Sequence, residues 1–176
     1  MESKAKALGH PIHQMLIPFP FGLLATAVIF DIVYLLAGAP STKMSMALVA
    51  FWMIAAGIVG GVVAAPFGLV DYLAIPKNTR ARSVGLLHGA GNVVVLLLFA
   101  GSLLLRYNAP ALPLTRQPGT LALVLSFAGF LLAGLTGWLG GELVDRHAVG
   151  VDDGAHLDAP SSLSGRPAHE RAGARQ

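Results

Sequence analysis

The sequence predicts an all-α protein: a four-helix transmembrane bundle with antiparallel neighbours and a polar, disordered C-terminal tail. Three observations carry this. Four stretches are long and apolar enough to cross a bilayer, whose ~30 Å core needs about 20 apolar residues. Charged residues make up 12% of the chain, against about 25% in a soluble domain, too few to coat a soluble surface. The connections between the stretches are short and rich in helix breakers, which turns each helix back beside the one before it.

The first helix is expected at 12–37, with Asp31 as its one charge, and the second at 46–70, with none. The third, 84–105, carries His88 and Asn92; the fourth, 120–141, is uncharged. The connections are then 38–45, 71–83 and 107–119, with Gly38-Ala39-Pro40 and the span from Pro110 to Pro118 as their breakers. Pro18 and Pro20 should kink or loosen the first helix, and Pro66 the second, because proline lacks the N–H that closes the preceding turn. Past Val149 the residues are mostly Asp, Ser, Pro, Gly, Ala, Arg and His, with too little apolar area to fold alone. The chain thus divides into a transmembrane domain, 1–150, and a tail, 151–176. The basic start, Met1 to Lys6, is followed by an apolar run too long for a signal peptide, so it is read as a retained helix.

Small residues recur where helices should touch: Gly129, Ala133, Gly137 and Gly141; Ala81, Gly85 and Gly89; Gly57, Gly60, Gly61 and Gly68. Lipid gives no hydrophobic push between helices, so close backbone approach must hold them. Orientation follows from Lys and Arg near the helix ends. The N-terminal side carries Lys4, Lys6, Lys77, Arg80, Arg82 and Arg146, and the other side Lys43, Arg106 and Arg116. Both termini are therefore expected in the cytoplasm, with the protein in a cell inner membrane.

The same topology sends remote polar residues to one membrane edge. His10 and His13 open the first helix, Asp71 and Tyr72 close the second, His88 and Asn92 lie early in the third, and Glu142, Asp145 and His147 close the fourth. His10 and His13 form H-x-x-H, on one face if the helix has begun. Neutral imidazole is the commonest metal ligand and also binds haem iron. The candidate ligands are His10, His13, His88 and His147, with Asp71, Asn92, Glu142 and Asp145 as supporting partners that fix the imidazoles. Histidines at a membrane border are also common as plain interfacial residues; His88 lies deeper, where ionisable groups are rare. Asp31, near the opposite face, must be paired, protonated or inward-facing, with Arg106 and Lys43 in reach.

Some classes are excluded. The chain has no cysteine, so it holds no disulfide or thiolate-bound metal. No basic stripe marks a nucleic-acid partner. No phosphate loop, zincin or nucleophile-elbow motif is present, and a hydrolase reading finds only Ser83 and Tyr72 as nearby hydroxyls. His156 and His169, with Asp152, Asp153 and Asp158, make at most a weak metal site in the tail.

The segment Gly9-His10-Pro11-Ile12-His13-Gln14-Met15-Leu16-Ile17-Pro18-Phe19-Pro20 resembles the opening signature of the predicted membrane family called domain of unknown function 2231. The segment from Gly137 to Val151 resembles its closing signature, and Phe30-Asp31 and His88 also match in place, over roughly residues 9–151. Many members have a further histidine where Pro18 stands here. The resemblance implies four helices and no assigned activity. The family's architecture is similar to small haem-bearing membrane cytochromes, and its relatives appear beside redox modules. Two readings follow: a haem b or transition-metal site for electron transfer with redox or other membrane subunits as partners, or a structural subunit or small-ion permease using Asp31 and the histidines.

Overall fold

The computed structural model describes residues 1–108 and 116–171. A two-residue hairpin, β1 (Lys6–Ala7) with β2 (His10–Pro11), leads into α1 (Ile12–Leu16) and α2 (Pro18–Leu36). Then follow α3 (Pro40–Ala74), α4 (Arg80–Tyr107) and α5 (Thr120–Gly141). One turn of π-helix, Glu142–Arg146, extends α5. Four helical spans are long and apolar enough to cross a membrane: Ile12–Leu36, Pro40–Ala74, Arg80–Tyr107 and Thr120–Arg146.

The break at Ile17 has a simple cause. Pro18 and Pro20 offer no N–H to Gln14 and Leu16, so the turn loosens, yet Ile17 keeps helical angles (φ −54°, ψ −37°) and the axis continues. The helices overrun the apolar windows. Helix α3 has 35 residues, roughly 50 Å at 1.5 Å per residue, well beyond the ~30 Å core. It starts at Pro40, since proline suits a first helical position, so the expected connection 38–45 becomes the three residues Ala37, Gly38 and Ala39. The second connection is Ile75 to Thr79, whose last residue caps α4 by accepting from the Arg82 N–H at 3.2 Å. The expected connection at 107–119 lies largely outside the described residues.

Helices α2 with α3, and α4 with α5, form two antiparallel pairs; α3 meets α4 and α2 meets α5 to close the bundle. The buried and half-buried residues follow alternating steps of four and three. On α4 one face runs His88, Asn92, Val95, Phe99, Ser102, Arg106. On α5 it runs Ala122, Ser126, Gly129, Ala133, Thr136, Gly140. This is the spacing of left-handed bundles. It corrects the expected small-residue row on α5. Steps of four alone drift by roughly 40° each around a helix of 3.6 residues per turn. Gly137 and Gly141 therefore slide off the seam, and nothing lies within 4 Å of a Cβ built there. Gly89 leaves the contact on α4 in the same way. Gly57, Gly61, Gly68, Gly85 and Gly129 do sit in close contacts.

The bundle is layered. In the middle, Leu24, Ala27, Val28, Ile54, Val95, Phe99 and Ala133 form a dry core. Above it Arg106 Nη2 donates to Asp31 Oδ2 at 2.6 Å, with both side chains fully buried. Ser102 and Ser126 complete that layer: Arg106 Nε donates to Ser102 Oγ at 3.2 Å and Nη2 to Ser126 Oγ at 3.3 Å. Lys43, the other cation expected near Asp31, lies instead over the Tyr34 ring at 5.5 Å.

An N-terminal arm closes the opposite end. Ser3 is buried and its hydroxyl donates to the Asp71 carboxylate at 2.8 Å, joined by the Lys4 N–H at 2.7 Å. The hairpin turns at Leu8-Gly9, both with positive φ. Gly9 (φ +85°) suits that turn, and a side chain there would meet Ser162 Cβ at 2.6 Å. That contact brings in the tail, whose described part carries turns and one 3₁₀ turn, Ser162–Ser164. Its fastenings are polar: Lys6 to Asp152, the Asp153 N–H to Glu2 Oε1 at 3.4 Å, and the Ser162 hydroxyl to Leu8 O at 3.1 Å.

Two predictions follow from this fold. Replacing Asp31 by Leu strands a buried guanidinium and should cost about 3–5 kcal/mol, whereas joining it with Arg106→Met should recover most of that loss. Thermal unfolding in detergent checks this, and a double variant no better than the single one would contradict it. The second concerns pH. Hydrogen bonding to Asp152, then Glu2, holds Lys6 above its ordinary 10.5, and Lys6 holds Glu2 below its ordinary 4.5. Lysine's share of the fastening is therefore lost only as pH rises past 10.5, and glutamate's only as pH falls below 4.5. A spin label on Leu163→Cys should stay restrained between those limits and loosen outside them.

Candidate functional site

Two histidines meet inside the helical bundle. His13, on α1, and His88, on α4, have ring centres 6.4 Å apart with planes at 87°. Each ring is anchored to a different helix. His13 Nδ1 lies 3.0 Å from Ala64 O on α3, and His88 Nδ1 lies 2.8 Å from Thr136 O on α5. A carbonyl only accepts, so both Nδ1 atoms carry the proton, and each Nε2 is left as the nitrogen able to bind something else. Fixing one imidazole nitrogen on a carbonyl is the usual support of a metal-binding histidine.

Glycines make the room. A Cβ on Gly68 would lie 2.7 Å from His13 Cε1 and 2.8 Å from Nδ1; one on Gly140 would lie 3.0 Å from His88 Cε1. Both rings therefore rest directly on backbone. Around His88 the hydrogen bonds close a ring between α4 and α5. The Thr136 hydroxyl donates to Asn92 Oδ1 at 3.0 Å, and the Asn92 amide donates to His88 O at 2.9 Å and to His88 Nε2 at 3.3 Å.

The other expected members of the site go elsewhere. His10 stands on β2, before the helix begins, so the H-x-x-H spacing does not share one helical face; its Nε2 lies 3.4 Å from the Ser162 hydroxyl. Asp71 is taken by Ser3 and Lys4. Glu142 faces Arg146 at 4.0 Å, and Asp145 is exposed. His147 follows the π-turn, with Nε2 buried and unpartnered. Among the described residues no three His, Asp or Glu side chains gather as metal ligands. The expected four-histidine cluster is thus a pair, and the tail set around His156 and His169 forms no such group either. Sequence reasoning missed Thr136, Ala64 and Gly140, and marked Gly68 only as a helix contact. Only the four-and-three spacing of α5, which puts Thr136 and Gly140 on the buried face, could have pointed to two of them.

The 6.4 Å between the ring centres is close to the spacing of two imidazoles that share one ion. A metal–nitrogen bond of about 2.0–2.1 Å, plus roughly 1 Å from nitrogen to ring centre on each side, spaces two imidazoles across one ion by roughly 6 Å. Further ligands would come from water or a partner, and Asn92 would release His88 Nε2.

No continuous polar path joins the two polar layers among the described residues. From Asn92 to Ser102 is roughly 15 Å at 1.5 Å per residue, and Val95 and Phe99 fill the interval with Leu24, Val28 and Ala133.

Comparison with known proteins agrees with the fold and leaves activity open. No curated protein and no solved structure matches the chain. A family described as predicted membrane proteins, DUF2231, matches residues 9–153. With that match spanning all four helices and both histidines of the pair, the chain belongs to the DUF2231 family of predicted membrane proteins.

Proposed function

We propose that this membrane protein holds one transition-metal ion between His13 and His88 and serves as a metal-bearing subunit beside redox partners, its N-terminal face in the cytoplasm. The observation that carries this is the pair of imidazoles in mutual contact, each tied through Nδ1 to a carbonyl of another helix. Imidazole suits copper, zinc, iron and nickel alike. The bound ion supplies redox or Lewis-acid chemistry; the chain supplies two oriented nitrogens. Thr136 and Ala64 hold the rings, Gly68 and Gly140 let them lie against backbone, and the dry layer above keeps water on one side. The excess of Lys and Arg on the N-terminal side supports the orientation. Against the permease reading stands that same dry layer. A purely structural subunit remains the competing account, supported by the closed hydrogen-bond ring around His88.

The test is elemental analysis with an absorbance spectrum on detergent-purified protein, before and after incubation with copper, zinc or iron. About one tightly held ion per chain is expected, lost in both His13→Ala and His88→Ala. A Soret band would place haem here and overturn the bare-ion assignment. Protein that takes up no metal under any of these conditions, while His88→Ala alters assembly alone, would establish the structural account instead.

Gly68 offers a further check. Gly68→Ala puts a methyl group against the His13 ring, so the ring must shift off Ala64. Metal affinity should fall roughly 10–100-fold, as when the support of a ligand is lost, while Gly137→Ala, on the open face, should leave it unchanged. Competition with a chelator measures both.

A further inference from the structure

A second polar site lies at the same end of the bundle and shares no residue with the histidine pair. A cleft of about 300 Å³ is lined by Arg80, Glu142, Arg146 and His147. Arg80 opens α4, and the other three belong to the π-turn that ends α5 and the residue after it. A π-turn makes i→i−5 bonds, seen here as the His147 N–H donating to Glu142 O at 3.2 Å. The wider turn changes the direction of the side chains beyond it, and such turns are frequent at functional sites.

The side chains around this cleft are unspent. Arg82, two residues from Arg80, is committed: its Nη1 donates to Tyr72 O at 2.6 Å and Ile75 O at 3.2 Å, and its guanidinium lies 4.0 Å from the Tyr72 ring centre. Arg80 makes no hydrogen bond or ion pair among the described residues. Arg146 has only the distant Glu142 contact and is mostly exposed. His147 Nε2 is closed off from solvent without any partner. Two guanidinium forks thus meet in one cleft, beside the His147 ring, at the level where two membrane spans end.

We infer that this cleft binds the phosphate group of an anionic phospholipid, with a phosphoglycerol headgroup as the best match. Guanidinium groups bind phosphate oxygens in bidentate fashion, and basic pockets between transmembrane helices at a membrane border bind lipid headgroups. Glu142 sets the charge preference. Its carboxylate opposes a doubly charged phosphate but tolerates a singly charged diester, and it accepts from headgroup hydroxyls. The lipid source is favoured over soluble phosphate by the position at the span ends and by Glu142.

The experiment uses the full chain in detergent, with bound lipid counted by native mass spectrometry. Phosphatidylglycerol should bind at least tenfold tighter than phosphatidylcholine. Arg80→Gln with Arg146→Gln should weaken it at least tenfold, while Lys77→Gln, a cation of the same border outside the cleft, should change it less than twofold. Inorganic phosphate at millimolar concentration should not compete in the native chain but should compete in Glu142→Gln. Equal binding of the two lipids, or an unchanged double arginine variant, would overturn the site. Displacement by phosphate in the native chain would overturn the lipid assignment. Metal content plays no part in these readings, so the test stands apart from the histidine pair.

Discussion

A polar group carried into a bilayer must find its partner inside the protein, because lipid offers none. That constraint organises this bundle. Asp31 and Arg106 come from α2 and α4, 75 residues apart along the chain, and meet with both side chains fully buried. Their contact is extended by Ser102 and Ser126, so one polar layer spans three helices. At the other end His13 and His88 reach carbonyls of α3 and α5, which ties the first span to the second and the third to the fourth, and the contact of the two rings links the pairs. Between the layers van der Waals contact alone holds the helices, and there the small residues let Leu24, Leu96 and Phe99 seat against Gly57, Gly61 and Gly129.

Much of this was legible in the sequence. Apolar length gives the four helices, and Asp31 in an apolar run demands a partner such as Arg106. The family resemblance rests on segments at both ends of the apolar region. The helix ends were less legible, since hydropathy marks the lipid core while a helix continues as long as its backbone can be capped. Pro40 starts α3 six residues before the apolar window, and Arg80, capped by Thr79, starts α4 four residues before its own. Such overhang put His88 deeper in its helix than the window suggests.

The site was read at the right edge and with too many members. Topology brings His10, His13, His88 and His147 to one end, but a shared end is not a shared point. Whether H-x-x-H aligns depends on where the helix begins, and the Leu8-Gly9 turn delays it to Ile12, leaving His10 on a strand. Asp71 looked like a ligand or support because carboxylates are; the arm that claims it, through Ser3 and the Lys4 N–H, has no motif that would announce the contact. The carbonyls that orient the two rings belong to the backbone, and sequence does not name backbone partners.

The arrangement of the two rings is open to direct observation. Solid-state nuclear magnetic resonance of the chain labelled with ¹⁵N and ¹³C histidine in lipid reads which nitrogen bears the proton and whether two rings are neighbours. The account predicts protonated Nδ1 and unprotonated Nε2 for His88, a protonated Nδ1 for His13, and a correlation between the rings. Rings protonated at Nε2 alone, or without mutual correlation, would contradict it.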